Sequence, residues 1–233
     1  MAFVERDGRS RVSNPGVGSV ANDRGGCEVT GQRATKGTGV DTRQRLMEAT
    51  AEIMRNEGYA AVTTRRVAAE VGVRSTLLYY YFPTMEDLLV AVMRNGAERS
   101  LARMRRAITD DDPLQALWLI NTDTRSTALN TEFMALANHR KVIADELRGY
   151  AEHVRDIETT AVTLVMRTHG LDLAQFPPVV MSILLTGAAR IICNEAAMGM
   201  RQGHAELRAF VEGYIAQFRL SAPVADSGDE PAE

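Results

Sequence analysis

TTRRVAAEVGVRSTLLYYYFPTMEDLL, residues 63–89, decides how the chain folds. Thr63 has the hydroxyl of an N-cap, and it precedes a helical stretch from Thr64 to Val71 whose apolar positions, Val67, Ala68 and Val71, share one face. Gly72 breaks that helix. A second short helix is expected from Ser75 to Phe82, stopped by Pro83, because the residue before a proline disfavours helical backbone. Thr84 and Asp87 then stand at the spacing of a capping box, so a longer helix starts there and runs through Leu88, Leu89, Val92 and Met93 towards Met104. Upstream, Asp41 and Gln44 resemble another capping box. Leu46, Thr50, Ile53 and Glu57 follow it at helical spacing, and Gly58 stands where a C′ residue ends a helix. Two short helices hinged at a glycine and packed on a preceding helix make a helix-turn-helix, whose second short helix can enter the major groove of DNA.

The side chains on that second helix suit the task. Arg74, Ser75, Thr76, Tyr79, Tyr80 and Tyr81 put a guanidinium, hydroxyls and aromatic faces into eight residues. Successive residues on a helix point about 100° apart, so at most one or two of three consecutive tyrosines can face the core. The rest present a ring and a hydroxyl to solvent or to a partner.

Residues 42–96 as a whole resemble the N-terminal domain of the TetR family of bacterial transcriptional repressors. The carrying residues are the Thr63-Thr64-Arg65-Arg66-Val67-Ala68 run, the Glu70-Val71-Gly72-Val73 turn, the Leu78-Tyr79-Tyr80-Tyr81-Phe82 run and Glu86-Asp87-Leu88-Leu89. The resemblance implies that Thr64 and Arg65 reach phosphates and sometimes bases, and that Arg74, Ser75 and Thr76 read bases. Tyr79, Tyr80 and Tyr81 would fix the DNA backbone, and Arg66 and Thr84 are further candidate DNA-binding residues. There are departures. Arg74 stands where many members open the recognition helix with a small capping Ser, Thr76 where Gly or Ala is common, and Tyr81 where a His is frequent. Met85 stands where a Lys often meets a phosphate, and losing that contact should flatten the salt slope of DNA binding by about one unit unless Arg33 or Lys36 compensates.

Composition agrees with a globular protein: 233 residues, 45% hydrophobic and 24% charged. No uninterrupted apolar run approaches the roughly 20 residues that span a bilayer, so no membrane role is expected. Without the apolar stretch of a signal peptide the protein is expected in the cytoplasm. The two cysteines, Cys27 and Cys193, are far apart and belong to no CxxC or His cluster, so neither a disulfide framework nor a metal site is expected. The net charge of −3 divides unevenly: +2 over residues 1–40, +3 over 41–107 and −8 over 108–233. The acidic excess therefore lies away from the groove-reading helix. A Gly-rich phosphate loop, GxSxG and HExxH are all missing and the four histidines share no face, so no enzyme activity and no cofactor are expected.

Beyond Arg106 the pattern stays helical. Asp112-Pro113 opens a helix carrying Leu114, Leu117, Trp118 and Ile120, and Asn130 is expected to cap the next. A long segment from Val142 to His169 ends at Gly170. Pro177-Pro178 opens a helix apolar on most sides, which should be buried on most sides. The last helix carries Leu207, Phe210, Val211, Tyr214, Ile215 and Phe218 at i, i+3, i+4, i+7 spacing. Asp110 to Asp112 read as N-terminal helix charge rather than a metal site, and Cys193 as a small buried apolar residue.

The expected fold is all-α. A helix-turn-helix DNA-binding domain (41–90) is followed by a larger helical effector-binding and dimerisation domain (91–221), between disordered tails at 1–40 and 222–233. The resemblance implies that the last two helices pair with their copies in a homodimer, and that the middle helices enclose a cavity for a small-molecule effector. Candidate linings are Trp118, Phe133, Met134, Met166 and Ile183, although an aromatic or Met at helical spacing reads more simply as core packing, with Arg125, Asn138, His139, Arg190 and Asn194 as polar anchors. His139, beside Arg140 and Lys141, reads more simply as a solvated helix end. The expected function is a repressor that binds a palindromic double-stranded operator as a dimer and is released by a largely apolar effector; the alternative is a helical adaptor of the same fold.

Overall fold

The computed structural model of the protein describes residues 39–219. The expected tails and the candidate contacts Arg33 and Lys36 lie outside the described residues, except that Gly39 and Val40 already belong to the first helix. Nine α-helices follow one another, and no strand occurs among the described residues. The first four are α1 (Gly39–Glu57), α2 (Thr64–Val71), α3 (Ser75–Tyr81) and α4 (Met85–Ala107). The body adds α5 (Pro113–Asn121), α6 (Thr127–Ala137), α7 (Lys141–Thr168), α8 (Pro178–Ala197) and α9 (His204–Ala216).

Local chemistry sets most of these boundaries. The Thr63 hydroxyl accepts a hydrogen bond from the Arg66 amide at 3.2 Å and opens α2. Gly72 closes it in the left-handed conformation (φ 73°, ψ 34°), a region a Cβ makes costly. At the head of α4 the capping box is complete: the Asp87 amide donates to the Thr84 hydroxyl at 3.1 Å and the Thr84 amide to the Asp87 carboxylate at 3.0 Å. Asp112 opens α5 by accepting from the Gln115 amide at 3.1 Å. Two expected caps differ. Helix α1 starts ahead of Asp41, which therefore lies in its first turn, and Asn130 lies inside α6, which opens after Ser126.

The α1–α4 head has a continuous core in which Leu46, Val67, Leu78, Phe82 and Leu88 are almost completely buried. That core does not stop at the end of the head. Phe133 and Leu136 of α6 and Ile143 of α7 complete it from the body side. A second core surrounds Trp118, Val162, Val165, Ile192 and Ile215, and a third joins α4, α5 and α7 through Leu101, Met104 and Ala161.

Helix α8 departs from expectation twice. It was expected to be buried on most sides, yet Val179, Val180, Ile183, Leu184 and Ile191 are each between 42% and 59% exposed. Its average also passes where its runs fail. With 20 residues, and a mean hydropathy of 1.4 over its most apolar 18, it is by length and composition apolar enough to cross a membrane, since scattered Ser182, Thr186 and Arg190 break the runs without lowering the mean much. One side of α8 nevertheless packs on α7, burying Ser182, Ala189, Ile192 and Cys193. The opposite side of this single chain is bare.

Candidate functional site

Two sites emerge, one on the head and one in the body. On the head, α2 and α3 meet at Gly72, and Arg45 of α1 secures the joint by donating to the Val71 carbonyl at 2.9 Å. Arg43 lies 4.9 Å over the ring of Phe82, fixing α1 against the end of α3. Neither arginine was singled out in the sequence, where each is one of many basic residues on a helix surface.

The three tyrosines divide as helix geometry requires. Tyr81 turns in, packs against the head core and brings its hydroxyl to within 3.1 Å of where a Cβ on Gly39 would sit. Tyr79 and Tyr80 point out, with Tyr80 78% exposed and its ring edge-on to that of Tyr81 at 5.1 Å between centroids. The Tyr79 and Thr64 hydroxyls lie 3.1 Å apart, so the outer faces of α2 and α3 form one polar surface. Thr76 is exposed on the same face of α3 as Tyr79 and Tyr80, Arg65 and Arg74 are exposed near the starts of α2 and α3, and Ser75 is half-buried. Met85 reaches the same edge, where the Thr64 hydroxyl donates to its sulfur at 3.4 Å.

Two of the expected contact residues are otherwise engaged. Arg66 is held by Glu57 at 2.7 Å and by Glu70, two acids whose hydrogen bonds raise the pKa of its guanidinium. Thr84 spends its hydroxyl on the Asp87 carboxylate at 2.8 Å. Their side chains serve the joint between α1 and α2 and the cap of α4.

In the body, a cavity of about 660 Å³ opens between α4, α5, α6, α7 and α8. Of the expected lining residues it brings together Met134, Asn138, Arg190 and Asn194. The others lie elsewhere. Trp118 is buried in the second core and donates from its indole nitrogen to Glu212 at 3.2 Å. Met166 belongs to that same core, and Phe133 to the core shared with the head. Ile183 lies on the bare face of α8, and Arg125 reaches back to Asp123 at 2.6 Å. His139 is exposed and does not line the cavity.

The cavity is more polar than the sequence suggested. Arg103, Arg148 and Arg155 join Arg190 on its walls, with Asp123 the single carboxylate among its lining residues. Asp123 is clamped: hydrogen bonds from Arg125 hold its carboxyl down to about 2, with Arg103 3.5 Å away on the other side. Cys193 also lines the wall, and burial pushes its thiol up.

Beneath the cavity lies a carboxylate that sequence reasoning missed. Glu158 of α7 is almost fully buried and accepts from Asn121 (2.8 Å), Ser182 (2.9 Å) and Thr186 (2.6 Å), three donors on α5 and α8. Arg155 donates to the same Ser182 hydroxyl at 2.9 Å and lies 3.7 Å from Glu158. Nothing local in sequence marks a glutamate whose partners lie more than twenty residues away.

The cavity and the head share a wall. Helix α6 presents Asn130, Thr131 and Met134 to the cavity, while its Glu132 accepts from the Tyr59 amide at 2.8 Å, in the 3₁₀ turn Tyr59–Ala61 that follows α1. Arg140, just after α6, donates to the Tyr59 hydroxyl at 2.6 Å and lies 3.5 Å from Glu86 at the start of α4.

A helix-turn-helix head followed by a helical body is an architecture found in DNA-binding regulators. Residues 46–92 match the family model described as bacterial regulatory proteins, tetR family. That match covers the head, where the chain is similar to TetR-family DNA-binding domains. The HTH-type transcriptional repressor KstR of Mycolicibacterium smegmatis is 32% identical over 117 residues, 49% of this chain and 57% of that protein. The HTH-type transcriptional regulator BetI of Rhizobium meliloti is 26% identical over 187 residues, 78% of this chain and 80% of BetI. Among solved structures, a transcriptional regulator from Saccharomonospora viridis in complex with choline has the same fold, with a TM-score of 0.65 at 14% identity, covering 76% of this chain and 96% of that one.

Proposed function

We propose that the chain is a homodimeric transcriptional repressor that holds a palindromic operator through its α1–α4 head and lets go when a small molecule fills the body cavity. The observation that carries this reading is the joint surface of α2 and α3, where Thr64, Arg65, Arg74, Thr76, Tyr79 and Tyr80 put donors, hydroxyls and two outward rings on one side. Tyr79 and Tyr80 turn adjoining rings and hydroxyls outward, the groups that contact a DNA backbone. Ser75 and the half-buried Tyr81 support that surface from within. Arg66 and Thr84 contribute through the joint and the cap rather than by direct contact.

The bare faces of α8 and α9 support dimerisation. Ile183, Leu184, Ile191 and Phe210 are too apolar and too clustered for a solvated surface. A two-fold pairing through them presents two recognition helices to half-sites about 34 to 36 Å apart, or a multiple of that. This reading places the protein with the DNA in the bacterial cytoplasm. The shared wall, α6, offers a route from cavity to head: a ligand that displaces Asn130 and Met134 also moves Glu132 and its hold on Tyr59. A coupling of only about 1 to 3 kcal/mol between the two sites is enough for regulation.

The test is a mobility-shift titration on the promoter fragment beside the protein's own gene. Arg65→Ala and Tyr80→Ala should each weaken binding about tenfold or more while leaving dimerisation and melting nearly unchanged, since both side chains point away from the core. Absence of any specific shift with a folded dimer would leave a helical adaptor instead.

A further inference from the structure

Charge on the cavity walls narrows the class of molecule that can occupy it, on the reading that this cavity is the effector site. Four arginines line it against one carboxylate. Arg103 is neutralised by Asp123, which Arg125 shares. The other three, Arg148 and Arg155 of α7 and Arg190 of α8, lie along one wall, with Arg155 partly compensated by the buried Glu158 carboxylate 3.7 Å away.

Their geometry can be followed along the helices. The link between α7 and α8 is short and the two helices pack side by side, so they run antiparallel, with Arg155 level with Ser182. At about 1.5 Å per residue, Arg148 lies roughly 10 Å from Arg155 towards the start of α7, and Arg190 roughly 12 Å from Ser182 towards the end of α8. In an antiparallel pair those are the same direction, so Arg148 and Arg190 flank the wall at one level with Arg155 below them. Arg190 makes no hydrogen bond or ion pair within the described residues. Arg148 is held only by Asp145, one turn away in an exposed pair at 3.0 Å that a ligand can displace at little cost. Arg155 donates from a single nitrogen, Nη1, to Ser182, which leaves the other edge of its guanidinium for a bidentate acceptor. Glu158, with three donors of its own, keeps Arg155 in place from below.

A cation finds nothing comparable. Quaternary ammonium groups are held by cages of aromatic faces. Tyr150 is the one aromatic residue lining this cavity, its hydroxyl donates to Ser100 at 3.0 Å, and the one carboxylate is already clamped.

We infer that the cavity binds an anion, a molecule with a carboxylate or phosphate head on an apolar body, and that Arg148, Arg155 and Arg190 select it by charge. The head lies against the α7–α8 wall, and the body extends towards Ile120, Leu147 and Met134. The regulator of the same fold solved in complex with choline would then differ from this chain in the charge of the molecule bound.

The experiment compares four probes of one chain length below their micellar concentrations: dodecanoate, dodecyl phosphate, dodecanol and dodecyltrimethylammonium. Calorimetry gives affinity, and a mobility shift on the same promoter fragment gives DNA release. Dodecanoate or dodecyl phosphate should bind at least tenfold more tightly than dodecanol, with dodecyltrimethylammonium weakest. The exposed Arg190→Gln and Arg148→Gln variants should each lower anion affinity about tenfold and leave dodecanol unchanged, with the far-ultraviolet circular dichroism spectrum confirming that they fold. Arg155→Lys, which retains the charge without the fork, should penalise dodecyl phosphate more than dodecanoate. Equal affinity for acid and alcohol, preference for the ammonium compound, or no anion binding would each overturn the assignment. Arginine-dependent anion binding that leaves DNA bound would uphold the anion site and remove the release mechanism instead. Release by dodecyltrimethylammonium alone would do the reverse.

Discussion

The head and the body are built from the same kind of helix, but they use their apolar surface differently. In the head, Leu46, Val67, Leu78 and Leu88 are essentially unexposed and α2 and α3 close on one core, so what remains outside is polar and positioned. In the body, α8 leaves Ile183, Leu184 and Ile191 bare and stands beside a cavity of about 660 Å³. A closed core holds a reading surface rigid. An incompletely closed one leaves room for a ligand and for a second subunit, and local structure with fewer packed contacts shifts more readily.

That contrast breaks most sharply at Phe133. It lies on α6, a cavity-lining helix, yet its ring completes the core of the head. Phe133→Ala should cost about 3 to 5 kcal/mol, the usual range for emptying a buried aromatic site. Thermal melting should show it, together with loss of DNA binding, while ligand affinity of the folded fraction is unchanged. A variant that melts normally but no longer binds ligand would return Phe133 to the cavity.

On the other side of the comparison, Ile183→Asp should barely affect the fold of one chain, because the side chain is already half in water. In a pairing through α8 it puts a carboxylate into an apolar interface in both copies. The dimer should weaken by about 100-fold or more, read by sedimentation as a shift to monomer at unchanged helicity. A stable dimer would move the interface off α8.

Legibility in the sequence follows the same division. Thr63, Gly72, Pro83 and the Thr84–Asp87 box act over three or four residues, so the head's boundaries could be placed within a residue or two. The failures at Asp41 and Asn130 were also local. Each residue type suits a cap, but helices begin where the first hydrogen-bonded turn can form, and α1 and α6 find that turn earlier. The cavity depends on which faces of five helices meet. Trp118, Phe133 and Met166 looked like lining residues because burial and lining carry the same apolar signature, and only packing separates them. Arg148, Arg155 and Glu158 look like ordinary solvated charges of a long helix until α8 is laid alongside. Arg140 read as part of a solvated helix end, and it proved to be a tie to the head through Tyr59 and Glu86.

Smaller changes probe the head alone. Thr63→Ala removes the one side-chain cap of α2 and should cost about 1 kcal/mol, leaving the dimer constant and the ligand affinity unchanged. An effect on either would mean that the head and body cores unfold as one unit, as their shared Phe133 and Ile143 allow.

The subtlest test concerns one charge. Met85 opens α4 beside Thr64, at the edge of the joint α2–α3 surface, and gives that edge a soft sulfur in place of an ammonium. If the surface docks as proposed, this edge faces a phosphate, and Met85→Lys restores a contact that releases one condensed counterion. The slope of log K against log salt should then steepen by about 0.9, with tighter binding at low salt and little change in melting. The body takes no part, so dimerisation and anion binding must be indifferent to the substitution. A slope that does not move would mean that this edge of the head faces solvent in the complex. The recognition helix would then lie in the groove at an angle other than the one Tyr80 and Arg65 imply.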